Sequence, residues 1–81
     1  MNGQAKRYDV QLVEAIAVAV GKARELGYDV EAMSVKASVA GGTCTVYFEP
    51  VPEPGTAILG GDLTVDVEME TKRVVRFERG Q

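Results

Sequence analysis

Residues 33–48, MSVKASVAGGTCTVYF, decide the fold. Met33, Val35, Ala37 and Val39 alternate with Ser34, Lys36 and Ser38; after Gly41-Gly42, Cys44, Val46 and Phe48 alternate with Thr43, Thr45 and Tyr47. A period of two is that of a strand with one buried and one wetted face. The Gly-Gly pair supplies the positive φ angles of a primed hairpin turn, and a two-residue turn opposes Val39 to Cys44, Ala37 to Val46 and Val35 to Phe48. Every apolar side chain then falls on one face, so the register is fixed from within.

Upstream, the period changes to that of a helix. Leu12, Ile16, Ala19, Ala23 and Leu26 recur at three- and four-residue intervals, widened by Val13 and Val20, with Gln11, Glu14, Lys22 and Glu25 on the other side. Asp9 is placed to accept from first-turn amides, Tyr8 and Val13 occupy staple positions, and Gly27 stands where a left-handed residue ends a helix. The pattern predicts a helix from about residue 10 to about 26. Gly21 lowers helix propensity by ~1 kcal/mol relative to alanine, and it suggests close packing of another element at that point.

Downstream, the prolines of Pro50-Val51-Pro52-Glu53-Pro54-Gly55 lack amide donors and predict a loop. Leu63, Val65, Val67 and Met69 then alternate with Asp62, Thr64, Asp66, Glu68 and Glu70, and a last strand carries Val75 and Phe77 inward with Arg76 and Glu78 outward. A two-residue loop at Thr71-Lys72 would oppose Val67 to Arg76 and mix the faces. A three-residue loop is therefore expected, opposing Asp66 to Arg76 and Val67 to Val75. The reading is a single α+β domain over residues 1–81, with one N-terminal helix packed on a four-stranded antiparallel meander sheet.

Composition excludes several chemistries. The 81 residues contain no histidine, no tryptophan and one cysteine. That leaves no Ser-His-Asp triad, no Cys-His pair, no internal disulfide and no His- or Cys-rich metal site. The longest wholly apolar stretch, Ala15 to Val20, is far short of the ~20 residues that span a bilayer, so a cytoplasmic protein without membrane contact is expected. A domain this small buries only ~60–65% of its unfolded surface, so a partner or a second copy would add stability.

The net charge of -3 is unevenly spread: residues 49–70 hold six acidic and no basic side chains, and residues 72–79 hold four basic and one acidic. Asp62, Asp66, Glu68 and Glu70 share one strand face at ~6.5–7 Å intervals. Such carboxylates suit general acid–base work or a hard cation, but alternation already demands polar residues there, and Arg73, Arg76 and Arg79 stand ready to balance them. An acidic surface repels nucleic acid and attracts a basic protein surface. Cys44 falls on the core face as a small hydrophobe, Gly60-Gly61 reads as a bulge or tight strand entry, and neither a catalytic residue nor a cofactor or metal site is expected. Val18, Tyr47 and Val74 are apolar at positions where the pattern calls for polar residues, and Tyr47 with Val74 marks the open sheet face as a contact surface.

Residues 58–81, ILGGDLTVDVEMETKRVVRFERGQ, resemble small cystatin-like α+β modules, among them nuclear-transport-factor-fold immunity proteins and PepSY-type domains. Gly60-Gly61, the alternating strand to Met69, the short turn and the terminal strand through Val74-Val75 to Gly80 carry the resemblance. The chain lacks the middle-strand tryptophan and the final-turn glycine of that pattern. The resemblance implies a non-catalytic, protein-binding or inhibitory role. The expectation is thus an immunity- or inhibitor-like binding module using Tyr47, Glu49, Glu53, Asp62, Asp66, Glu68, Val74 and Arg76. A self-associating homodimer and a small-ligand binder with a pocket between helix and sheet are the alternatives.

Overall fold

A computed structural model describes residues 7–52, 54–55 and 61–80. Helix α1 (Val10–Glu25) leads through a 3-10 turn at Val30–Ala32 into strands β1 (Met33–Ala40), β2 (Thr43–Pro50), β3 (Leu63–Glu68) and β4 (Arg73–Arg79). The sheet order is β1-β2-β3-β4, every pair antiparallel, so the chain is an α+β meander with one helix on one face. Glu53 and Gly60 lie outside the described residues.

Both helix ends form as their residues dictate. The Asp9 side chain accepts from the Gln11 amide at 2.9 Å. At the other end Gly27, at φ 93°, lets its amide reach Arg24 O while the Tyr28 amide reaches Ala23 O, each at 3.0 Å. Those paired bonds close the last carbonyls of the helix. Gly21 differs from expectation: it is exposed, and a Cβ added there meets nothing within 4 Å. Gly21→Ala is therefore expected to stabilise the dilute protein by about 0.5–1 kcal/mol, raising the urea midpoint at unchanged slope. A lower midpoint would show that the glycine serves a contact.

The β1–β2 register matches expectation, with Val35↔Phe48, Ala37↔Val46 and Val39↔Cys44, and Gly41 and Gly42 at φ 58° and 79°. Pro50, assigned to the loop from sequence, instead closes β2 opposite Met33. It sits beyond the end of the β3 ladder, so its missing amide costs little there.

The second hairpin is built differently from the expected three-residue loop. Strand β3 stops at Glu68, and four residues, Met69 to Lys72, make the connection, with Lys72 at φ 58° and its amide bonded to Glu68 O at 2.8 Å. Four residues oppose Val67 to Val74, and a register shift at Asp66/Val67 then brings Arg76 opposite Asp66. A bulge has absorbed the parity error.

The core lies between the helix and the two central strands. Ala15, Ala19, Ala23, Cys44, Val46, Phe48, Leu63, Val65 and Val67 are fully buried. Three alanines in one helical row let the helix axis approach the sheet closely, and Phe48 is the largest side chain filling the space.

Candidate functional site

Two surfaces carry the candidate residues, one on each side of the sheet. On the side away from the helix, alternation places Tyr47 and Glu49 of β2, Asp62 just before β3, Asp66 and Glu68 of β3, and Arg76 of β4. The Tyr47 hydroxyl donates to Asp62 Oδ2 at 2.9 Å, Thr71 Oγ1 donates to Glu68 Oε1 at 2.9 Å, and Arg76 Nε stands 3.8 Å from Asp66 Oδ2. Arg76 also reaches Glu78 at 3.8 Å. Asp62 and Asp66 are thus engaged across strands and Glu68 by its own turn, and an exposed ion pair such as Arg76–Asp66 is worth ~0–1 kcal/mol. Asp66 Oδ1 is buried without a hydrogen-bond partner among the described residues. Among those residues no group of three or more acidic or thiol side chains is placed to hold a metal ion.

The Asp62 carboxylate holds the Tyr47 phenol above the ordinary tyrosine range, because it accepts the proton that ionisation would remove; partial burial adds to the effect. The neutral phenol is the favoured form, so the stabilisation is complete below the ordinary tyrosine pKa and disappears as pH rises through the raised one. Asp62→Asn is expected to bring the Tyr47 transition down, read as phenolate absorbance against pH. An unchanged curve would show that the bond does not persist in solution. Gly80 locks the same corner: its amide donates to Asp62 O at 2.8 Å, and a Cβ on it would collide with the Asp62 carboxylate.

Val74 is the exception among the candidates. The bulge turns it to the helix side, where it is half-buried against the core, and Val18 packs there as well. The open sheet face therefore has no Tyr47–Val74 apolar patch. Tyr47 stands in polar surroundings with its hydroxyl bonded.

The apolar surplus lies on the helix side. A helix about 10 Å wide covers two strands spaced ~4.8 Å apart, not four. Its contacts fall mainly on β3 and β2 and then β4. Over β4, Lys22 Nζ stands 5.1 Å from the Phe77 ring centroid and the Arg79 guanidinium 5.5 Å from that of Tyr28, so cations lie against this flank although Phe77 and Val75 stay 42% and 57% exposed. Over β1 nothing comparable exists among the described residues: Val35 and Val39 remain 40% and 50% exposed, with Ala37 exposed between them. Because Lys22 fixes the flank facing β4, helical geometry turns Val13, Ile16 and Val20 toward β1. Helix and strand thus form the wall and floor of an apolar trough. The outer line of α1 is mixed, exposed Val10, Ala17 and Gly21 sharing one row with exposed Glu14 and Arg24.

The interior between helix and sheet is filled by the core. A depression of about 730 Å³ lies open at the hairpin end between Gln11, Gly42, Glu68, Met69 and Val75. Burial pushes the Cys44 thiol up, away from a reactive thiolate. No helix among the described residues is long and apolar enough to cross a membrane. No protein family, curated protein or solved structure matches the chain.

Proposed function

We propose that this chain is a non-enzymatic protein-binding module whose contact surface is the apolar trough between α1 and β1. The row Val35, Ala37, Val39 carries the reading: three successive core-facing positions left uncovered on an edge strand, beside an apolar helix flank. Such a surface loses free energy to water until another polypeptide covers it, at ~25 cal/mol per Å² of apolar area. The acidic face of Glu49, Asp62, Asp66 and Glu68 then acts by repelling nucleic acid and by steering a basic partner rather than as the seat of contact. The inhibitor- or immunity-like role implied by the resemblance to cystatin-like modules is of the same kind.

The test uses the intact chain as bait, wild type against Val35→Lys/Val39→Lys. Both positions are partly exposed, so the variant is expected to keep its circular dichroism and melting temperature within a few degrees. Polypeptides held by the wild type, whether a further copy of the chain or another protein, are expected to be lost from the variant. Equal retention of everything by both would remove the trough as the contact surface.

A further inference from the structure

Strand β1 ends the sheet order, so among the described residues no strand lies beside its outer backbone edge. Hydrogen bonds at the two ends of β2 settle which residues face that edge. The Val51 amide reaches Ala32 O at 3.0 Å, and the Met69 amide reaches Gly42 O at 2.9 Å. Odd-numbered residues of β2 therefore turn their amides and carbonyls toward β1, and even-numbered ones toward β3. With Ala40 opposite Thr43 and Ser38 opposite Thr45, the even-numbered residues of β1 are bonded inward. Val35, Ala37 and Val39 thus present both backbone groups to the empty edge.

We infer that this edge pairs with β1 of a second copy, antiparallel about a two-fold axis through Ala37. Ala37 then lies opposite Ala37, and Val35 of each copy opposite Val39 of the other. Each of these three pairs exchanges two backbone bonds, six in all. The contact goes beyond the proposed use of the trough and does not depend on it, because the bonds lie in the plane of the sheet and leave the trough open above it.

Alternation and charge select that register. Opposed residues must share a sheet face, so the axis passes through a residue and not between two. At Lys36 it would set the one charge of β1 directly against itself. Nearer either end the ladder shortens, and an axis at Ser38 already places Val35 opposite Gly41 of the turn. At Ala37, residues 34–40 are opposed throughout, Lys36 faces Ser38, and the two lysines stand only diagonally, ~7–8 Å apart.

The two edges of the sheet differ in their fitness for pairing. Strand β4 is interrupted by the register shift at Asp66/Val67 and carries Arg73, Arg76, Glu78 and Arg79, devices that keep foreign strands away. Strand β1 runs eight residues in unbroken register and carries Lys36 alone. The net charge of -3 does not oppose the union. The acidic β3 strands of the two copies lie five strand spacings apart, ~24 Å, beyond the ~8–10 Å over which exposed charges interact at physiological salt. Backbone bonds rather than buried area carry the contact, so it belongs with weak, reversible assemblies, forming over roughly tens to hundreds of micromolar.

Sedimentation and amide exchange of the full chain across that range supply the test. Wild type is expected to dimerise, and the amides of Val35, Ala37 and Val39 to gain protection as it does, whereas those of Lys36 and Ser38 are protected at every concentration. Ala37→Pro removes an outward amide and no bond to β2, so it is expected to keep its circular dichroism spectrum and to associate at least tenfold more weakly. Ser38 provides a second reading that spares the backbone. Ser38→Glu, opposite Lys36 of the other copy, is expected to tighten the dimer severalfold at low salt, and Ser38→Lys to weaken it. A wild-type monomer throughout the range overturns the inference. So does a dimer whose outward amides exchange as fast as in the monomer, a folded Ala37→Pro that associates like wild type, or a dimer that Ser38→Glu weakens.

Discussion

Phe48→Ala is expected to cost about 3–5 kcal/mol, the largest single effect in this chain. The ring is fully buried toward the C-terminal end of β2, flanked by Val35 on β1 and Leu63 on β3 within the core that the helix covers. Its loss leaves a cavity that a four-stranded meander with one covering helix has little means to collapse. A domain of this length has a total stability on the order of 4–12 kcal/mol, so the variant retains a small remainder or unfolds at room temperature. Urea denaturation followed by circular dichroism measures the change, and a loss below about 1 kcal/mol would mean that Phe48 is not the centre of the core.

Ala19→Leu is expected to destabilise by about 1–3 kcal/mol for the opposite reason. Ala15, Ala19 and Ala23 form the row on which the helix rests, each with no exposed surface, and a longer side chain at the middle position must lift the helix from Val46 and Val65. Ala17→Leu, two residues away but on the exposed side, is expected to leave the stability of the dilute protein nearly unchanged. Equal effects at the two positions would show that helix propensity rather than close approach governs α1.

The first hairpin is legible in the sequence because two independent constraints agree: Gly41-Gly42 demands a primed turn, and only that turn puts Val35, Ala37 and Val39 on the face of Phe48, Val46 and Cys44. The second hairpin is less so. The Asp66–Arg76 opposition is readable from charge and alternation, but it arises through a four-residue connection corrected by a bulge, and alternation is blind to a bulge. Val74 falls on the opposite side from its expected one for that reason, since one additional residue in β4 reverses its side of the sheet. Tyr47, Glu49, Asp62, Asp66, Glu68 and Arg76 do gather on one face, as their spacing requires. The trough is not visible to periodicity, which reports which way a side chain points and not whether anything lies above it. Its signal is the width of one helix against four strands. Gly21 suggests a packing site within the chain, and its helix position alone does not distinguish that from a place on the exposed side of α1.

Cys44 gives the molecule a built-in clock. The only thiol sits on a central strand near the β1–β2 turn, opposite Val39 and Val67, fully buried and with its ionisation suppressed. An alkylating reagent meets it only when the core at the hairpin end opens, so the labelling rate counts those openings. That rate needs no added probe. Should a second molecule hold the fold closed, the clock would run more slowly as the protein is concentrated.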